Sequence, residues 1–297
     1  MYLYLWYFLA YAFLGWCAEV AYATLNTGKF INRGFLNGPV CPIYGAGVVL
    51  VITFLTPLKD NLLLLFLGSI LLTSMLEFLT GWALEKIFSQ TWWDYSQVPF
   101  NIGGYICLKF SLMWGIICLL VMSVIHPLIH SLIVFIDIRF GKVILSILYS
   151  CLVVDEVSTI QSIIQLNKQL KQINQIASKI RNVSDDIGER ISSASMLIIE
   201  KTDELKTEIT EFKENTTEAF EERKAIAARV LEGQNEKLLQ IVEKRKALLT
   251  ELHEKRAEII NKSFFGQKRI LRAFPNMKSI NYKEELEELK KKYLKRL

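Results

Sequence analysis

Apolar residues form long unbroken stretches in the first half of the chain and fall at helical spacing in the second. The unbroken stretches predict membrane spans, because a helix needs ~20 apolar residues to cross a bilayer. The first span is expected at about Leu3–Leu25, and the second at about Pro39–Thr56, from the Gly38-Pro39 turn to Pro57. The third, about Asn61–Phe88, is long enough to tilt. The fourth, about Gly104–Ile125, ends before His126-Pro127. A fifth, at about residues 142–166, has to carry Asp155 and Glu156 inside it. Leu128–Phe140, broken by Asp137, Arg139 and Lys142, is expected to be an interfacial or re-entrant helix. The first stretch is read as a span rather than a secretory signal, since it lacks a positive leading region and a small-residue cleavage site.

From Leu166 the apolar residues Leu166, Leu170, Ile173, Ile180 and Ile187 alternate by threes and fours. A second run uses Leu205, Ile209, Phe212, Ala219, Ile226 and Val230, and a third Leu238, Val242, Leu249, Leu252 and Ile259. These heptad-like seams predict long, coiled-coil-like helices. Arg223, Arg245 and Arg256 fall on the seams and argue against a uniform two-stranded coil. Three readings stay open: one long helix with breaks, helices folded back on each other, or self-association. The fold class is therefore all-α, with a membrane bundle over residues 1–166 and a long-helix region over 167–265. A basic turn and last helix follow over 266–297. That terminal helix either touches anionic headgroups or presents a solvated face.

Within the bundle one pattern occurs twice. Gly15, Trp16, Glu19, Gly38 and Cys41 recur as Gly81, Trp82, Glu85, Gly104 and Cys107, each 66 residues later. Such a repeat predicts two duplicated units, about 3–58 and 61–126, related as a parallel repeat. The symmetry is incomplete. Tyr11 stands where the second copy has Glu77, and Asn26 and Thr27 where it has Trp92 and Trp93.

Charge sharpens the division. Up to Val154 there are 7 Lys+Arg against 6 Asp+Glu, and from Asp155 onward 28 against 24. Loop one carries Lys29 and Arg33, loop three carries Lys86, and the tail carries Lys168, Lys171, Lys179 and Arg181. The positive-inside rule then places both loops and the tail in the cytoplasm and the N-terminus outside. A net charge of +5, spread along the chain, suits a membrane surface and gives no indication of nucleic acid. The Cys and His residues show no zinc spacing, and no metal or other cofactor is expected.

Ionisable residues in spans face a bundle interior or a cavity and mark function by default. Ser69, Thr73, Glu77, Gly81 and Glu85 recur every four residues and share one stripe of the third span. Glu19 lies on a similar small-and-polar stripe of the first span, with Arg33 a candidate partner. Such stripes also serve as packing seams, and both roles stay open for Glu19 and Glu85. Trp92 and Trp93 either anchor loop three at headgroup level or form a gate, with Asp94 and Asn101 as its polar contacts. The candidate functional residues are thus Glu19, Glu77, Glu85, Arg33, Trp92, Trp93, Asp94 and Asn101.

Four segments carry a resemblance. Arg33-Gly-Phe-Leu-Asn-Gly-Pro-Val-Cys-Pro-Ile-Tyr-Gly45, Leu76-Glu-Phe-Leu-Thr-Gly-Trp-Ala-Leu-Glu85, Trp92-Trp-Asp-Tyr-Ser96 and Ile106-Cys-Leu108 resemble the putative ABC transporter permease family, the type IV or CmpB-like group. The resemblance covers about residues 3–165, and Arg272-Ala-Phe-Pro-Asn-Met-Lys-Ser279 is similar to the family's C-terminal segment. Asn101-Ile-Gly-Gly departs from the family's Asn-Leu-Asn-Gly run at Gly103. The resemblance implies a multi-pass protein of the bacterial plasma membrane that acts as a permease of unspecified substrate. The chain has no G-x-x-x-x-G-K-[ST], so a separate ATP-binding subunit would be needed, docking at loops one and three. The alternative is a membrane-anchored interaction or scaffold protein whose tail does the work and associates with a second copy. An enzyme is not expected, because neither HExxH nor GxSxG occurs.

Overall fold

The apolar stretches of the first half all fold as helices in the computed structural model, which describes residues 1–211 and 217–294. In chain order these are α1 (Tyr2–Thr27), α2 (Pro42–Leu55, prolonged to Leu58 by a 3-10 turn) and α3 (Leu62–Phe88). Next come α4 (Leu108–Leu120), α5 (His126–Val134), α6 (Ile138–Glu211), α7 (Thr217–Asn261), α8 (Gln267–Ala273) and α9 (Lys283–Leu294). Four two-residue strands complete the described residues: β1 (Gln90–Thr91), β2 (Asn101–Ile102), β3 (Ile106–Cys107) and β4 (Lys278–Ser279). β1 pairs antiparallel with β4, and β2 with β3.

Tyr2–Thr27, Leu62–Phe88, Leu108–Val134 and Ile138–Glu204 are each long and apolar enough to cross a membrane, and Pro42–Leu58 is a shorter apolar helix. Polar backbone can cross a bilayer only where its hydrogen bonds are made internally, which helices achieve. α1 and α2 pack on α4 and α5 through Tyr7, Tyr11, Ile52, Val121 and Ile133. Val51, Leu55, Leu65 and Cys118 join α2, α3 and α4. Leu71, Ile116 and Ile147 point outward and are left exposed, as lipid-facing side chains are.

Two boundaries differ from expectation. The fourth apolar helix does not stop before His126-Pro127 but runs on to Val134. A π turn at Val121–Ile125 makes this possible, since His126 N–H donates to Val121 O and the backbone bonding is rerouted just ahead of Pro127. Leu128–Phe140 is correspondingly not one re-entrant helix. Its first part completes α5 and its end begins α6, with a turn at Asp137 between them. Asp137 caps α6, its side chain accepting from Arg139 N–H at 2.9 Å.

The chain divides into two compact units. The first joins Met1–Leu170 with Ser263–Leu297, so the C-terminal segment belongs with the spans. α9 is not a wholly solvated helix: Leu286 and Leu289 are buried, and Lys290 Nζ donates to Met277 O. The chain's last three residues, 295–297, lie outside the described residues.

The second unit is Lys171–Lys262. Arg245 lies 3.3 Å from Asp186, which also pairs with Arg190 at 3.0 Å. Asp186 and Arg245 are about equally far from the segment between α6 and α7, so the two helices run back along each other. This is the folded-back reading, and it gives the seam position Arg245 a partner within the chain. Leu238, Val242, Arg245, Leu249, Leu252, Arg256 and Ile259 are all partly buried, while most positions between them are exposed. Of the second apolar run, Phe212 and the side chains of Leu205, Ile209, Ala219, Ile226 and Val230 lie outside the described residues, as does the side chain of Arg223.

Candidate functional site

α3 has 27 residues, about 40 Å at 1.5 Å per residue, against about 30 Å of hydrocarbon. Its length exceeds the bilayer core by about two turns, which tilt or its ends take up. Loop one (residues 28–41) and loop three (residues 89–107) fold back along the ends of α1 and α3 instead of extending away. In loop one, Cys41 N–H donates to Ala12 O at 2.9 Å, about four turns back from the end of α1. In loop three, Tyr105 lies against Gly81.

The close approach needs glycine. A Cβ on Gly15 would overlap the Tyr44 ring, and one on Gly81 would sit 3.0 Å from the Tyr105 ring and 3.1 Å from Trp93. Each glycine thus seats an aromatic ring, and the acid one turn further on takes that ring's hydroxyl. Tyr44 donates to Glu19 at 2.5 Å and Tyr105 to Glu85 at 2.7 Å. A third tyrosine, Tyr95, donates to Glu77 at 3.2 Å and stacks on Phe110 with centroids 4.8 Å apart. The Tyr95 hydroxyl is raised well above its ordinary range, first by burial and then by the nearby carboxylates of Glu77 and Glu19.

The other candidates separate into distinct roles. Arg33 lies 3.5 Å from Glu19 and 5.9 Å from the centroid of the Tyr22 ring. Trp93 donates from its indole to Tyr105 O at 2.9 Å, a bond that closes loop three on itself while the Trp93 ring lies against Gly81 of α3. Trp92 points elsewhere. It is 4% exposed, wedged edge-on between Phe35 of loop one and Phe274 at 5.0 and 4.8 Å. Asp94 pairs with Lys278, and that hydrogen bond is the first cause holding its carboxyl down at about 2. Asn101 hydrogen-bonds within loop three, donating to Val98 O and accepting from Gly104 N–H. Gly103, beside it, has φ +60. Asn tolerates that left-handed region as well, so Asn and Gly are both accommodated at this position of the run.

Three residues that complete the site were not among the sequence candidates. Asp155, on α6, accepts from Asn37 N–H, from the Asn37 side chain and from Gly38 N–H at 3.0, 2.8 and 2.6 Å. Arg269, on α8, donates to Asn37 Oδ1, Gly34 O and Phe35 O at 2.9, 2.7 and 2.9 Å. Burial lowers the Arg269 pKa, and the Asp155 carboxylate opposes that shift. The guanidinium stays charged, as arginine does in proteins. Loop one is thus gripped from both sides, its donors by an acid and its acceptors by a base. Lys278, in β4, ties loop three to the same segment through Asp94 and the β1–β4 pair. Together loops one and three and residues 263–294 form a collar at one end of the spans. Within it, Glu85, Trp93, Asp94, Tyr105, Lys278 and Lys283 line an open cleft of about 250 Å³.

A family described as putative ABC-transporter type IV matches residues 6–160, just over half of the chain. The chain belongs to this family. The matched region of the type IV family takes in α1 to α5, both loops of the collar and Asp155 on α6. Arg269 and Lys278 lie beyond it, on the segment that closes over those loops. Family membership and the apolar helices together make this a membrane protein. No curated protein and no solved structure matches the chain significantly.

Proposed function

We propose that the chain is the permease-type subunit of an ABC transporter in the bacterial plasma membrane, with the helical tail in the cytoplasm and a separate ATP-binding subunit as partner. Family membership supports the class. The observation that carries the mechanism is the set of tyrosine–carboxylate bonds at Glu19, Glu77 and Glu85. They fasten loop three and the start of α2 to the spans, so a displacement of the collar pulls on the bundle. The ATP-binding partner would meet the collar with residues 263–294 already seated on loops one and three, rather than the bare loops. The chain itself then carries no reaction; it moves and selects.

The scaffold reading is favoured by that same covering of the loops and by the length of α6 and α7. Excising residues 171–262 separates the two. Gln169 and Gln267 are hydrogen-bonded at 2.5 Å, so a short Gly/Ser linker can join Leu170 to Ser263 with the collar intact. The permease reading expects retained complementation of a deletion strain and an ATPase that co-purifies with the excised form. It also expects Glu77→Gln to impair complementation with membrane insertion unchanged. Full loss on excision, with the collar still folded, would make the tail the working part.

A further inference from the structure

The collar cleft is lined by charges of both signs. Lys278 and Lys283 come from β4 and α9, Glu85 from α3 and Asp94 from loop three. It sits at the end of a candidate span: Glu85 is three residues before Phe88, the last residue of α3, where a membrane-crossing helix approaches the headgroups. Trp93 and Tyr105 belong to the residue types that settle at this level. Ile280, which lines the cleft, is 55% exposed, and Trp82, one turn before Glu85 on α3, is 46% exposed. Mixed charge beside exposed apolar side chains, at the end of a span, matches a molecule with an anion, a cation and acyl chains.

We propose that this cleft binds the headgroup of an aminophospholipid, with its phosphate toward Lys278 and Lys283 and its primary ammonium toward Glu85 and Asp94. The Lys278–Asp94 pair, 2.5 Å apart, would open to take phosphate on one side and ammonium on the other. A primary ammonium donates hydrogen bonds to carboxylates, which a trimethylammonium cannot, and a glycerol headgroup has no cation. The site requires no transport cycle, so failure of lipid binding leaves the permease reading standing.

The test uses the full chain, purified in detergent, titrated separately with dioleoyl phosphatidylethanolamine, phosphatidylcholine and phosphatidylglycerol, with bound lipid read by native mass spectrometry. Phosphatidylethanolamine should bind about tenfold more tightly than either of the others, the effect of one or two charge-assisted hydrogen bonds at a partly exposed site. Glu85→Gln should abolish that preference. Tyr105→Phe, which removes the hydroxyl bonded to Glu85 but leaves its charge, should preserve it. Lys283→Gln, at an exposed position, should weaken all three lipids. Equal binding of the three lipids overturns the proposal, as does phosphatidylglycerol matching phosphatidylethanolamine. A preference unchanged in Glu85→Gln overturns it too, as does binding of all three lipids unweakened in Lys283→Gln.

Discussion

Arg269→Ala removes three hydrogen bonds at once, each from a charged donor to loop one. Hydrogen bonds to charged groups contribute about 1.5–3 kcal/mol each, but bonds from one side chain are not additive. The wild type also bears the desolvation of a partly buried guanidinium, which the variant is spared. Against this, the variant leaves Gly34 O, Phe35 O and Asn37 Oδ1 without that donor, and Asp155 without the nearby positive charge. The net expectation is a loss of about 2–3 kcal/mol, below the ~3–5 kcal/mol for removing one partner of a fully buried charged arrangement, because Arg269 and Asp155 are only partly buried. Arg269→Lys should recover less than half, because a lysine ammonium lacks the planar fork that reaches three acceptors together. Hydrogen exchange on the purified full chain is the assay, since it reads each segment separately. Protection should fall in residues 34–41 and in 263–294, while α3 and α4 keep theirs. Asp155→Asn should loosen the same loop, and the double variant should lose less than the sum. Full protection of 263–294 in Arg269→Ala would refute the clamp, and strict additivity of the two variants would refute the shared grip on Asn37.

Three further outcomes follow from the geometry. Gly15→Ala drives a methyl into the Tyr44 ring and should cost about 1–3 kcal/mol in detergent melts, more than Gly81→Ala, whose neighbours stand at 3.0 Å. Trp92→Ala should cost about 3 kcal/mol or more, because the ring fills the space between Phe35 and Phe274, whereas Trp82→Ala at the lipid-facing surface should cost under about 1 kcal/mol. Asp94 has its folded pKa depressed, so the Lys278 bond stabilises fully above about pH 4 and its contribution is lost as pH falls toward about 2. Solvent screening at half-exposed Lys278 limits that contribution to about 1 kcal/mol or less, so the stability gap between wild type and Asp94→Asn should be small at pH 6 and vanish near pH 2.

The helices of the bundle were legible in the sequence because the signal for a span is local: an apolar run of sufficient length in water has nowhere else to go. Glu19, Glu77 and Glu85 stood out for the same reason, each an acid in apolar surroundings. The repeat pointed to Gly15 and Gly81, and each seats an aromatic ring. The tyrosines that use these positions are not themselves in register, since Tyr44 and Tyr105 are 61 residues apart rather than 66. Pro127 misled as a stop, because a π turn in the preceding residues is a backbone choice that no single side chain announces. Asp155 looked like a defect in the fifth span. It is where loop one is held, and only the fold brings Asn37 to it across more than a hundred residues. Arg269 and Lys278 read as ordinary basic residues of a tail, because nothing local distinguishes a solvated cation from one about to be buried against a distant carbonyl. The sequence by itself determined which segments enter the membrane and which acids they carry, since both follow from transfer out of water. The tertiary structure alone decided what those acids touch and that the C-terminal segment closes over the loops, since hydrogen bonds between remote segments depend on geometry that periodicity does not encode.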